Sequence, residues 1–248
     1  MLASELFKLI EQKVPLKLAL NDDIVGFIGF GNPEEMEVEK AVVLLDLVPG
    51  NTLTGVETDL VVCHHPPIFP PSIPTYIIHS NWDIVQGGAN DALAESLKLE
   101  VTDVLEEETG IGRICTTQCS LDDFMENVFK SLPTDNIRLV KGSKKLIEKV
   151  AVISGFGLNP HYIKLSREKG VDLLLSGDLT HPGSIIAKKL GITLIDATHQ
   201  ATEVPGLIRL CQLLNELGVN TYYHDTGASW ETFHQAQPLE IGPKSGIS

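Results

Sequence analysis

KVAVISGFGLNPHYIKLSREKGVDLLLSGDLTHPGSIIAKKLGITLIDAT, residues 149–198, decides the fold class of this chain. Its apolar runs at 149–155, 171–177 and 192–198 are continuous rather than alternating, the pattern of strands buried on both faces. Between them, Asn159-Pro160 offers an N-cap and a first-turn proline to a helix ending near Gly170, and SIIAKKL (184–190) makes a short helix stopped by Gly191. A third helix follows residue 198 and ends at Gly218, ahead of VNTYYH (219–224). Strands alternating with helices predict an α/β fold with a parallel sheet covered on both faces.

Outward from this segment the first half is less regular. EKAVVLLDLV (39–48) and TDLVVCHH (58–65) are strand-like, whereas PGNTLTGVE (49–57) between them is a poor helix. The five prolines between Pro66 and Pro74 demand a loop. GGANDALAESLKL (87–99) reads as a helix capped by Asn90 or Asp91, and SLDDFMENVFKSL (120–132) as another, with Ser120 and Asp123 spaced as a capping box. MLASELFKLIEQK (1–13) places Leu2, Leu6, Leu9 and Ile10 at helical spacing. TDLVVCHHPP (58–67) resembles VDLLLSGDLTHP (171–182), as two related α/β lobes would and as any two buried strands do. The final PLEIGPKSGIS (238–248) is polar, rich in breakers and expected to fray.

The 248 residues are 43% apolar, enough for an ordinary core, and 19 Lys+Arg against 33 Asp+Glu give a net charge of −14. That balance opposes loose attraction to nucleic acid or an anionic membrane. The first residues form an amphipathic helix without the apolar core of a signal peptide, and no apolar run approaches membrane-spanning length. Cys63, Cys115, Cys119 and Cys211 form no CxxC pair, so the expectation is a cytoplasmic protein with reduced thiols. Alternation points Cys63 into the core as a structural thiol, and Cys115 with Cys119 has helical spacing and no histidine partner.

Candidate chemistry sits at strand ends. His64 and His65 close an apolar run just before two prolines, and neutral imidazole is the commonest biological metal ligand. A pair of surface histidines would read the same in isolation. At the end of another strand, Asp196-Ala-Thr-His-Gln-Ala-Thr-Glu203 puts His199 and Glu203 four apart, hence on one helical face. In His79-Ser-Asn-Trp-Asp83, Asp83 offers a carboxylate ligand or a loop hydrogen bond, and His79 a proton carrier beside it. Asp178 and His181 also end a strand and can line a pocket or cap a helix, and neither reads as a ligand.

Taken in order and spacing, DLVVCHHPPIF, HSNWDIVQGGANDALAE, VDLLLSGDLTHPG and IDATHQATEVPGL resemble the NIF-three-like family, many of whose members carry the name GTP cyclohydrolase I type 2 homologue. The match spans roughly residues 20–230, and the length is similar to the short form, without an inserted domain. The resemblance implies a single NIF-three-like domain of two α/β lobes, approximately 1–110 and 111–248, with mainly parallel sheets and a dinuclear metal site in the cleft between them. It further implies that His64 and Asp83 hold one metal, His65 and His199 the other, and that Glu203 bridges them, often within a toroidal homohexamer. Two features depart from the family's pattern: PGNTLTGVE replaces the usual helix before the HHP strand, and His79-Ser80 stands for its His-Thr.

Two close-set divalent ions would activate water, so the expected function is metal-dependent hydrolysis of a nucleotide or related small molecule, with His79 or His181 relaying protons. His, Asp and Glu ligands without thiolate fit Zn, Fe, Mn or Co. No Walker loop corroborates the nucleotide, and the DxH and Gly-Asn-His-Asp elements of calcineurin-like phosphoesterases are absent. The competing expectation is a non-catalytic, metal-binding ring-forming scaffold that binds nucleic acid or protein partners.

Overall fold

The computed structural model describes residues 1–48, 53 and 55–227. Its first half runs α1 (Ala3–Lys13), a 3-10 turn (Leu16–Leu18), β1 (Gly26–Ile28), β2 (Lys40–Leu44), β3 (Leu60–Cys63), β4 (Thr75–Ile77), α2 (Ser80–Ile84) and α3 (Ala89–Ser96). There follow β5 (Glu100–Glu106), β6 (Ile111–Ser120), α4 (Leu121–Ser131), β7 (Arg138–Val140) and β8 (Leu146–Phe156). The rest is α5 (Pro160–Glu168), β9 (Leu173–Gly177), α6 (His181–Leu190), β10 (Thr193–Asp196), α7 (His199–Glu216) and β11 (Asn220–Tyr223). Most of PGNTLTGVE and all of PLEIGPKSGIS lie outside the described residues. Among the described residues no helix is long and apolar enough to cross a membrane.

The strands form two sheets, ordered β1-β4-β3-β2-β11 and β5-β6-β8-β9-β10-β7. The three apolar runs of 149–198 are β8, β9 and β10, paired in parallel as their continuous burial requires. The expected helices also form, with Asn159 accepting from the backbone N–H groups of His161 and Tyr162 and Gly191 closing α6 at φ +68°. In the smaller sheet β2 and β3 alternate by side: Ala41, Val43, Leu60 and Val62 pack under α1 and α7, whereas Val42, Leu44, Val61 and Cys63 face a second cluster. Cys63 is fully buried there, as its alternation predicts.

Several expectations need correction. The larger sheet is mixed rather than mainly parallel, because β5, β6 and β8 pair antiparallel and β7 runs antiparallel to β10 at the edge. Charged, half-exposed β5 carries no buried-strand signal, and its hairpin with β6 follows from the tight turn at Gly110, whose N–H bonds Glu106. The lobes anticipated at 1–110 and 111–248 exchange strands: β5 lies in the larger sheet, and β11 returns to pair in parallel with β2 of the smaller one. Cys115 and Cys119 sit on a strand, not a helix. Neither Asn90 nor Asp91 caps α3, whose N-cap is Gly88 without a side-chain bond. Asp91 instead pairs with the Arg113 guanidinium at 2.7 Å, and buried Asn90 ties the Asp83 carbonyl to the Ser154 amide of β8.

α3 packs on β5, β6 and β8 of the larger sheet and against α7. α7 packs against β8 and β9 of one sheet and β2 and β11 of the other, so it is the element that joins them. Its contact with α3 is backbone-close at Gly206, where an added Cβ would come within 2.6 Å of the Ala89 Cβ and 2.9 Å of its Cα. Backbone cannot yield as a flexible side chain does, so Gly206→Ala is expected to cost about 1–3 kcal/mol by overpacking. Thermal or denaturant unfolding checks this. Ile185→Ala, at a position 58% exposed, serves as the near-neutral control.

Candidate metal centre

The two histidines at the end of β3 remain in the ladder: the His64 and His65 amides bond the carbonyls of Leu44 and Leu45. The rings sit 5.1 Å apart, inclined by 39°, and both reach toward α7. Each is held by its Nδ1. His64 Nδ1 bonds the Ile78 carbonyl at 2.8 Å and His65 Nδ1 the Asp46 carboxylate at 2.8 Å, while His199 Nδ1 bonds the Asp178 carboxylate at 2.6 Å. Carbonyl and carboxylate oxygens only accept, so each Nδ1 carries the proton and each Nε2 of a neutral ring is a bare lone pair.

Those lone pairs face one another, the buried Glu203 carboxylate and the half-buried Asp83 carboxylate. Glu203 Oε1 lies 3.4 Å from His64 Nε2 and 3.3 Å from His199 Nε2, and its Oε2 lies 3.3 Å from His65 Nε2. Asp83 Oδ1 is 3.5 Å from His64 Nε2, and the Nε2 atoms of His65 and His199 are 3.2 Å apart. His64 Nε2, Asp83 Oδ1 and Glu203 Oε2 are buried without a hydrogen-bond partner. So many acceptors cannot converge without positive charge between them, supplied by protons or by cations. Ligand atoms roughly 2.0–2.1 Å from a tetrahedral ion stand about 3.3–3.4 Å apart, which is the spacing seen. Among the described residues, this His/Asp/Glu cluster could therefore hold a metal ion.

In the absence of a cation, protons take its place. Burial acts to lower the His65 imidazole, but its bonds to Asp46 and Glu203 outweigh that and lift it to about 10. Burial likewise opposes and Glu203 and Asp178 overcome at His199, which rises to about 9. Burial pushes the Asp83 carboxyl up to about 6 against the pull of His64. Glu203 is held well below its ordinary value because the surrounding imidazoles outweigh its burial.

The local chain is shaped around these groups. α7 begins at the end of β10, where the Thr198 N-cap adopts φ +75°, a costly conformation for a β-branched residue. Buried Asp196 accepts from the Thr198 and Leu179 amides and from Arg138, which holds that turn in place. At the end of β8, Gly155 has φ +76°, and a Cβ there would fall 2.3 Å from Glu203 Oε1, so only glycine leaves room for the carboxylate. The Gly155 amide in turn bonds Thr202 beside Glu203.

The structure thus brings together His64, His65, Asp83, His199 and Glu203. His79 stands against them, its ring 5.2 Å from that of His64 and 5.4 Å from that of His65. It is fixed by Asp23, whose carboxylate accepts from His79 Nδ1 at 2.8 Å and from the Ser80 hydroxyl. The serine at position 80 therefore has a definite task in holding the carboxylate behind His79. His181 is not brought in: it opens α6, is exposed, and lies outside the cavities that border the cluster. Asp23 and Asp46 escaped sequence reading, since a lone aspartate in a loop carries no signal of a histidine far away in the chain. Asp178, expected to line a pocket or cap a helix, orients His199.

The family model for Duf34/NIF3 (NGG1p interacting factor 3) matches residues 71–226. A relative from Methanothermobacter thermautotrophicus, named GTP cyclohydrolase 1 type 2 homolog, is 40% identical over 93% of this chain and 96% of its own length. The solved structure of reduced HcgD from Methanocaldococcus jannaschii is 33% identical with a TM-score of 0.78, covering 90% of this chain and 97% of that one. A Bacillus cereus protein related to NIF3, 20% identical, shares the fold at a TM-score of 0.80 over 95% of this chain and 99% of that one. With the family model spanning well over half of its length, this chain belongs to the Duf34/NIF3 family.

Proposed function

We propose that the protein is a hydrolase dependent on two divalent metal ions, with His64 and Asp83 holding one, His65 and His199 the other, and Glu203 shared between them. The observation that carries this reading is the buried Glu203 carboxylate, whose two oxygens between them face the Nε2 atoms of three imidazoles. The absence of thiolate from the donor set suits Zn, Fe, Mn or Co. Such ions supply Lewis acidity and water activated at neutral pH.

The chain's own residues do the rest. Asp46, Asp178 and the Ile78 carbonyl fix the three ring orientations, so that the nitrogens facing the ions need no reorganisation. His79, held by Asp23, stands beside the cluster where it can take up or return a proton. The cavities on either side, each of about 430 Å³, are large enough for a small-molecule substrate, and His65 and His199 border both. The names that the relatives carry make a nucleotide such as GTP the first substrate to try. The second reading, a non-catalytic metal-holding scaffold for a protein or nucleic-acid partner, takes its support from the family description, which is that of an interacting factor.

Metal-replete protein assayed on nucleotides and phosphoesters decides between them. Turnover that is lost in His65→Ala and Glu203→Gln, with folding retained, is the expected result. No turnover of any of these, together with partner binding that survives both substitutions, would leave the scaffold. Elemental analysis provides a separate prediction: Glu203→Gln should reduce bound metal from about two ions to one or none, since a shared ligand serves both. For the orienting carboxylates, Asp46→Asn and Asp178→Asn are expected to weaken metal affinity by about 10–100-fold without changing the number of sites. Competition against a chromogenic chelator measures that loss.

A further inference from the structure

A further histidine, His161, borders the cavity beside the cluster. His161 sits in the first turn of α5, set there by Asn159, and borders the same cavity as His65, His79, Asp83, His199 and Glu203. Its Nε2 donates to Glu106 Oε1 at 2.5 Å. Glu106, at the end of β5, is itself built into place: its other oxygen accepts from the Thr109 hydroxyl at 2.5 Å, and Tyr162 also donates to it. Burial acts to raise the Glu106 carboxyl, but these donors outweigh it and keep it ionised below its ordinary range. An exposed histidine in a casual surface pair has no such support; this carboxylate is 16% exposed and satisfied from three directions.

Because the carboxylate only accepts, the Nε2 of His161 keeps its proton and Nδ1 is the free nitrogen of the neutral ring. A carboxylate fixing one imidazole nitrogen while the other works on a substrate is the arrangement that acyl-transfer triads use. The ionisable groups touching the ring are Glu106 and Tyr162, whose ring centroid is 4.9 Å away. Among the described residues it makes no hydrogen bond or ring contact with the His64–Glu203 cluster.

We propose that His161 is a second proton-transfer residue of this cavity, beside His79, with Glu106 as its positioning residue, and that it takes the relay place expected of His181, which lies outside the cavity. The proposal rests on the hydrolase reading. In a hydrolysis the water O–H bond breaks as its oxygen bonds the substrate, and that proton passes to His161 Nδ1. The departing group then takes the proton as the scissile bond breaks, which returns the ring to its starting state.

The test is kcat and KM, determined separately, for metal-loaded protein acting on a panel of nucleoside triphosphates and phosphodiesters, with GTP first. Wild type, His161→Gln, Glu106→Gln and Glu203→Gln are compared, and bound metal is measured in each. His161→Gln is expected to lower kcat by roughly 10²–10⁴-fold with bound metal at the wild-type level. Glu106→Gln keeps the size of the side chain but not its acceptor-only character, so it is expected to lower kcat with KM and bound metal at the wild-type level. His161→Gln within about threefold of wild type, while Glu203→Gln is inactive, would overturn the proposal and leave the hydrolase reading standing. A wild-type kcat in Glu106→Gln, or a KM that rises in step with the loss, would overturn the positioning role. A wild-type protein inactive on the whole panel would overturn the hydrolase reading, and the proton-transfer role with it.

Discussion

One buried carboxylate organises this molecule. Glu203, 3% exposed, turns both oxygens toward three imidazole nitrogens whose opposite sides are already committed to acceptors. An ion of that size taken out of water costs several kcal/mol unless opposite charge meets it. The strands, caps and glycines around it can be understood as what is needed to bring enough positive charge to that one place.

Several elements serve this end together. β3 delivers His64 and His65 from the smaller sheet, and the ends of β8 and β10 deliver the space at Gly155 and the start of α7 from the larger one. α7 carries His199 and Glu203 and packs on both sheets, so the centre forms only when the two sheets are assembled. Buried Asn90 reinforces this by linking the carbonyl of Asp83 to β8. The positive φ of Thr198 is local strain held by Asp196, which itself answers to Arg138 and two backbone amides. Stability and site geometry are in this way one problem, and a change at Gly206 or Asp196 would be felt at the cluster.

Much of this was legible in the chain because it rests on short-range periodicity. Continuous apolar runs mark β8, β9 and β10, four-residue spacing puts His199 and Glu203 on one face, and a strand end with two histidines marks the rest. What escaped depends on distant partners. Asp46, Asp178 and Asp23 act on histidines 19, 21 and 56 residues away, where no local pattern connects them. β5 is mostly exposed and so has no apolar signature, and β11 could not be assigned to the smaller sheet because its strand pattern does not record which sheet it joins. His181 and His161 each open a helix after a strand, and only the packed structure shows that the second borders the cavity and has a carboxylate behind it.

Two metal ions, rather than protons, are proposed to supply the positive charge at this cluster. Anomalous diffraction from crystals of metal-loaded protein, collected above and below the absorption edge, examines it most directly. The account predicts two peaks about 3.5–4 Å apart, one beside His64 and Asp83 and one beside His65 and His199, with Glu203 reaching both. A map with no peak among these residues, from protein that retains metal by elemental analysis, would contradict it.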